Sequence, residues 1–282
     1  MGLSGLDVAA VDRAVAGTRF AGQMKHFPSV GSTNSLAIAE AQAGARGGVW
    51  IADEQTSGRG RGGHTWHSVA GDGLYVSVLV VPGVPAARAL WISMATGLAA
   101  RRAIAEASGL AADLRWPNDL MLHGRKCGGV LVESAITAAG GEVAEGMRYA
   151  VIGVGINVNH AVFPAEMRGA ATSLRMEAGR EIAREQLLIS LLRALDFELG
   201  SLQAEHSVAP SRRETQAGGG LLERFAAASS WVRGKRVRVG EMGGYTGVTA
   251  GLNRDGYLLV DAAPGDGGER RTVLSGGVRE LE

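Results

Sequence analysis

The chain carries one cysteine, Cys127, among 282 residues. That excludes an internal disulfide and any zinc site built from several thiolates, and it fits a reducing compartment. No long hydrophobic run is present: the best, Leu74 to Val81, falls far short of the roughly 20 residues that span a bilayer. The first residues, MGLSGLDVAAVDRAV, include Asp7 and Asp12 and lack a basic region before an apolar stretch, so no signal peptide is expected. Neither sign of charge dominates. Lys+Arg number 29 against 28 Asp+Glu, a formal net charge of +1, which argues against bulk electrostatic binding of nucleic acid. A soluble cytoplasmic protein with no membrane contact is the expectation.

Glycine is abundant instead, at 43 residues, about twice average usage. It is spread without a short period, which suggests many tight turns or backbone pressed close to ligands. With 46% hydrophobic residues the chain can bury a sizeable core. Its length suits one large domain with a small one, or two of moderate size.

Periodicity supplies the elements. GVWIAD (Gly48–Asp53) and LYVSVLVV (Leu74–Val81) read as buried strands. STNSLAIAEAQA (Ser32–Ala43) reads as a helix capped by Ser32 or Thr33 and ended by Gly44. Residues 86–108 place Leu90, Met94 and Leu98 four apart, with Arg101 and Arg102 towards the end and Gly109 beyond, a long amphipathic helix. GVLVE (Gly129–Glu133) and MRYAVIGVGINV (Met147–Val158) read as further strands, with a hairpin suggested at Gly140–Gly141. Helices are expected over Glu185–Leu202, and between Pro210 and Ala228 with an interruption at Gly218–Gly220. From Trp231 onward, four or five short strands are parted by Gly-Gly, Arg-Asp-Gly and Gly-Asp-Gly-Gly, the pattern of a small β-barrel. The expected fold is α/β: a mixed sheet packed by helices over 1–229, then a small barrel-like β domain over 230–282.

Residues 57–68, SGRGRGGHTWHS, hold the densest chemistry. Gly58, Gly60 and Gly63 match the G-x-G-x-x-G spacing of a dinucleotide turn, but HTWHSVAGDG leads into a strand and not a helix, and no acidic residue follows about 20 positions on. No Gly-Lys-Ser/Thr is present, so the Walker pattern fails as well. An RNA-binding Arg-Gly segment would need more copies and more aromatics than Trp66 alone. The remaining functional reading is an anion loop: glycines let backbone N–H groups approach a ligand, while Arg59 and Arg61 offer bidentate contacts. A ligand-free surface loop is the bland alternative.

Weaker signals follow. RWPND (residues 115–119) is turn chemistry when taken alone. Lys126 before Cys127-Gly128-Gly129 can hold an ammonium over space that the glycines leave open, although most lysines are solvated. Cations beside Cys127 could lower its pKa, yet no His or acid partner adjoins it. His64 and His67 lack a third ligand for zinc. GVGIN (Gly153–Asn157) ends a strand with an amide able to read an adenine edge or to satisfy a turn.

The order of these motifs is more specific than any one of them. Thr33-Asn34 after a Ser, GRGRGG-x-x-W-x-S, RWPND, K-x-G-G-x-L-x-E and GVGIN-V-N resemble the succession in the biotin protein ligases, over roughly residues 25–160. The C-terminal strands are similar to that family's small C-terminal domain. The resemblance implies a catalytic domain like that of class II aminoacyl-tRNA synthetases and an SH3-like barrel. It implies ATP-dependent activation of biotin to biotinyl-5′-AMP, then transfer to a lysine of a carboxyl carrier protein. Ser32, Thr33, Asn34 and Gln55 would bind biotin, with Ser32, Thr33 and Gln55 on the ureido ring. The loop Gly58–Gly63 would fold over the biotin carboxylate and the ATP phosphates, with Arg59 and Arg61 as clamps. Lys126, with Gly129 nearby, would bridge carboxylate and α-phosphate. Trp66 would wall the adenine pocket and Asn157 would contact the adenine. Asn118 would lie by ATP, and Asp119 by Mg²⁺ or the incoming lysine.

Two departures stand out. His64 occupies a position where the family often has Arg or Lys, and RWPND has arginine where lysine is common. About 25 residues precede the first motif, too few for the helix-turn-helix repressor domain of some members, so no DNA binding is expected. A homodimer is left open. A lipoate or octanoate ligase or transferase is the enzymatic alternative, and a nucleic-acid-binding module using Arg59, Arg61 and VRGKRVRV is the alternative of another class.

Overall fold

The computed structural model describes residues 6–136, 146–207, 219–241, 243–275 and 277–281. Its elements run α1 (Val8–Ala14), β1 (Met24–Phe27), α2 (Thr33–Gln42), β2 (Gly48–Ala52), β3 (Gly73–Val80), α3 (Ala89–Ser108), β4 (Asp113–Arg115), β5 (Asp119–Leu122), β6 (Arg125–Ile136), β7 (Met147–Asn157), α4 (Leu174–Ala178), α5 (Arg184–Ser207), α6 (Leu221–Ala227), β8 (Arg233–Val239), β9 (Tyr245–Leu252), β10 (Leu258–Ala262), β11 (Arg270–Val273) and β12 (Val278–Glu280). The expected strands and helices appear within a few residues of their predicted ends. The strand read at 129–133 is longer, because β6 pairs with β5 at its start and with β7 along most of its length. RWPND, read as a turn, links two short paired strands, β4 and β5. The hairpin suggested at Gly140–Gly141 lies outside the described residues, as do 210–218 of the helix read between Pro210 and Ala228.

Seven strands form one mixed sheet in the order β1-β2-β3-β7-β6-β5-β4, with only β1 and β2 parallel. Strand side chains alternate between the two faces, and here the alternation separates core from site. Leu74, Val76, Val78 and Val80 of β3, with Ala150, Ile152, Val154 and Ile156 of β7, join the main core with α3 and α5. The opposite face carries Trp50, Leu79, Tyr149 and Val151 under Ala37 and Ala41 of α2. Each such buried Leu, Ile or Val contributes about 1.5–3 kcal/mol over exposure. On this α2 face the middle of the sheet is hollow: Ser77 lies opposite Gly153, and Gly153 opposite Leu131. One row along, Gly155 lies opposite both Tyr75 and Gly129.

The last five strands make an antiparallel sheet, β11-β10-β9-β8-β12. It is fastened to the rest of the chain by indole hydrogen bonds. Trp91 Nε1 donates to the Asp255 carbonyl and Trp116 Nε1 to the Gly256 carbonyl, both at 2.9 Å. Among the described residues no helix is long and apolar enough to cross a membrane.

Candidate active site

Three adjoining clefts meet around Arg61 and Asn118, of about 470, 1190 and 610 Å³ counted out to their mouths. The first is lined by Ser32, Thr33, Asn34, Gln55, Arg59, Arg61, Trp66, Asn118, Lys126 and Gly129. Ten of the thirteen residues expected at the site therefore meet in one cavity. Asp119 lines the neighbouring, larger cleft with Lys126 and Asn118.

Two expected residues lie elsewhere. Asn157 is 3% exposed and lines none of the three clefts; its Nδ2 donates to the Thr172 carbonyl at 3.1 Å. That bond takes one of the two Nδ2 protons, and burial keeps the amide off the cleft surface. Gly58 is also outside the lining. Its carbonyl accepts from Trp66 N–H at 2.9 Å, and a Cβ there would stand 2.9 Å from the Trp66 carbonyl.

The glycine-arginine stretch folds as a miniature hairpin. Gly60 N–H donates to the His64 carbonyl at 2.6 Å, and Arg59 pairs with Thr65. The tip at Gly62 and Gly63 has φ of 68° and 81°, a left-handed conformation in which glycine carries no Cβ penalty. The G-x-G-x-x-G spacing thus arises from two close-approach glycines in the arms and a glycine tip. This fold aims both arginines at the cavity. Arg59 Nη2 lies 2.6 Å from Glu133 Oε2. Arg61 lines all three clefts; burial lowers its pKa, opposed by Asp119, Glu241 and Tyr257.

The third cation, Lys126 Nζ, lies 2.6 Å from Asp119 Oδ1 and 5.6 Å from the centre of the Trp66 ring. Asp119 is thus occupied by an ammonium. Among the described residues no three His, Cys, Asp or Glu side chains converge as a metal site. The described residues therefore offer a divalent cation no cluster of protein ligands.

Two buried donors here take no hydrogen bond: Arg61 Nη1 and Trp66 Nε1. A buried unpaired donor is costly, about 1–3 kcal/mol and more for a charged group, so the site is built for a ligand that brings acceptors.

The floor is polar and ordered. Ser32 caps α2 by accepting from Ser35 N–H. Gln55 Oε1 accepts from Thr33 N–H at 2.9 Å. Asn34 sits against bare Gly153, where a Cβ would stand 2.3 Å from its Oδ1.

Ser77 and Glu133, both absent from the sequence-derived site, complete this floor through Asn34. Ser77 had a signal, as the only polar side chain inside LYVSVLVV besides Tyr75. Sequence also gave no hint that the C-terminal sheet reaches the larger cleft, which Ser275, Gly277, Val278 and Arg279 line. Glu241 holds that loop by accepting from the N–H groups of Leu274 and Ser275.

Cys127 is fully buried, and desolvation pushes its thiol pKa up to about 12, outweighing the lowering by Lys126 beside it; this agrees with the lack of a His or acid partner in the sequence. His67 packs 5.9 Å from the ring of His160 and 6.4 Å from that of Phe163, in an aromatic cluster.

Residues 27–157 match the biotin/lipoate A/B protein ligase family. The chain is 32% identical over 264 residues to the biotin–[acetyl-CoA-carboxylase] ligase of Mycobacterium tuberculosis, covering 90% of this chain and 87% of that protein. It is 30% identical over 222 residues to the bifunctional ligase/repressor BirA of Bacillus subtilis. That match covers 78% of this chain but 63% of the relative, and the match to the Bacillus spizizenii protein also covers 63% of its length. A biotin protein ligase from Aquifex aeolicus, solved with biotin and ATP, superposes with a TM-score of 0.71 at 25% identity, over 92% of this chain and 100% of that one. With the expected motifs meeting in one cavity and relatives matched along most of the chain, this protein belongs to the biotin/lipoate A/B protein ligase family.

Proposed function

We propose that the protein is an ATP-dependent biotin ligase that forms biotinyl-5′-AMP and passes the biotinyl group to a lysine of a biotin carboxyl carrier domain. One observation carries this reading: three cations and two unpartnered buried donors, Arg61 Nη1 and Trp66 Nε1, surround a cavity with a polar floor. Such a site asks for a ligand that is anionic at one end and polar at the other.

A biotin carboxylate oxygen attacks the α-phosphorus of ATP, and pyrophosphate leaves. Two anions must approach each other, so fixed cations that neutralise both lower the barrier. Arg59, Arg61 and Lys126 take that role. Mg²⁺ would enter with the Mg-ATP substrate and neutralise the leaving pyrophosphate, and Asp119 would approach it only after giving up Lys126. The acceptor amine then attacks the acyl carbon, AMP leaves, and the amine loses a proton as the amide forms. Ser32, Thr33 and Gln55 hold the ureido ring, and the 58–63 hairpin covers the adenylate and keeps water from the mixed anhydride. Residues 1–229 form the catalytic unit and 230–282 a smaller unit that borders the nucleotide side. A cytoplasmic location suits the lone reduced cysteine. No contact with DNA is assigned to the described residues.

The test combines the purified protein with biotin, Mg-ATP labelled at the α-phosphate, and a carrier domain. Labelled adenylate, followed by biotinylated carrier, is expected. No biotinylation of any carrier domain sinks the reading. Modification by lipoate or octanoate in place of biotin would move the protein to the other branch of its family.

A further inference from the structure

Beneath the cavity, polar side chains form a chain whose donors and acceptors can run only one way. It starts at Glu133, whose carboxylate offers acceptors only. Asn34 Nδ2 donates to Glu133 Oε2 at 2.8 Å and faces the Leu131 carbonyl at 3.5 Å. Turning the amide over would set Asn34 Oδ1 against that carboxylate, so its orientation is fixed. Donor-only Arg59, on the same Glu133 oxygen at 2.6 Å, keeps that oxygen an acceptor.

Asn34 Oδ1 lies 2.5 Å from Ser77 Oγ. It has no proton, so Ser77 donates. Ser77 has a single proton, so its 2.7 Å contact with Thr33 Oγ1 runs the other way, with Thr33 donating. The other outlet for the Thr33 proton is Gln55 Oε1 at 3.1 Å, which is longer and already accepts from Thr33 N–H. By either route that proton is directed inside the protein. Thr33 therefore shows the cavity it lines a lone pair and no donor.

We propose that Ser77 and Glu133 are specificity-determining positioning residues: they fix Thr33 as an acceptor, so the site takes a ligand with an N–H at that point and rejects one presenting only lone pairs. Neither residue lines the cavity, and Ser77 is fully buried. The inference rests on the biotin reading, since a cyclic urea supplies ring N–H groups while a dithiolane or alkyl chain supplies none. A lone pair facing a lone pair in such a site costs roughly ten- to hundredfold in affinity.

The experiment is calorimetric titration of the full chain with biotin and with two cyclic carbamates, each replacing one ureido N–H by a ring oxygen. The wild-type protein is expected to prefer biotin over at least one carbamate by about ten- to hundredfold. Ser77→Ala leaves the Thr33 proton only the longer contact to Gln55 Oε1, which already serves the Thr33 N–H and which a ligand acceptor can displace, so the preference should fall to within about threefold; Ser77→Thr, which keeps the hydroxyl, should retain it. Glu133→Ala removes the acceptor that orients Asn34, lets the amide turn over and should lower the preference too. Glu133 is part-exposed, so this variant tests the chain even where Ser77→Ala fails to fold. An unchanged preference in both variants, with both ligands weakened in parallel, leaves only a structural role and overturns the proposal. Wild-type binding of biotin without discrimination also overturns it while sparing the ligase reading. No binding of biotin at all overturns both.

Discussion

Trp66 rests on Gly155 with nothing between them: a Cβ at Gly155 would stand 2.7 Å from the indole Cε2. The glycine leaves a slot on β7, and the indole fills it to become the cavity wall. Gly155→Ala should expel the ring. We expect biotin affinity to fall about tenfold or more, because a displaced aromatic takes the wall and the 58–66 hairpin with it. Titration with biotin checks this, and unchanged affinity would show that Trp66 is not needed in place.

Arg61 is half-buried, with Nη1 fully buried and unpaired, so its charge is held at a cost to stability. Arg61→Ala should leave the unfolding temperature unchanged or raised, while adenylate formation falls by about 10²–10³-fold. Lys126→Ala should lose activity comparably but also release Asp119 from its ion pair. Thermal unfolding beside an adenylation assay separates the two effects; near-normal activity in either variant contradicts the clamp assignment.

For Cys127, burial and a thiol pKa pushed up to about 12 leave almost no thiolate at neutral pH. Iodoacetamide should not modify the native protein at pH 8, and Cys127→Ala should keep its ligase activity. Rapid alkylation of the folded chain would contradict this burial.

His160 is buried, its ring stacked on Phe163 at 5.2 Å. Desolvation first, then His67, lowers its pKa from 6.5 to about 4. The unfolded chain therefore binds the proton that the folded one refuses, and stability should rise with pH between about 4 and 6.5. As pH falls through that window, up to about 2 kcal/mol should be lost. Unfolding midpoints measured across it should slope less in His160→Asn; equal slopes would place the proton uptake elsewhere.

Trp116→Phe removes the indole donor to Gly256 and should cost about 1–2 kcal/mol. The lost protection should appear in amide hydrogen exchange of β9 and β10, where the C-terminal sheet is fastened. Loss confined to the seven-stranded sheet would argue that the fastening lies elsewhere.

Much of the architecture was legible because its signals are local. Short β-branched apolar runs marked β2, β3 and β7, and leucine spacing marked α3 and α5. Short or weakly patterned elements were not legible: β1 (MKHF) and β4 exist because a neighbouring strand pairs with them. Asn157 was only partly legible for a related reason. Its motif fixes the strand end but not what its amide meets there, and here the amide donates to the Thr172 carbonyl.

The chain's sequence alone determined the strands and helices, the two charged arms of the hairpin and the glycines that allow its tip, since these depend on residue type and spacing. Tertiary structure alone decided that Ser77, Glu133 and Asn34 share one network, although more than forty residues separate each from the next along the chain. It also decided that Lys126 meets Asp119 and that the C-terminal sheet closes one cleft. Those relations follow from strand register and from which face a side chain takes, and pairing sets both only once the sheet has formed.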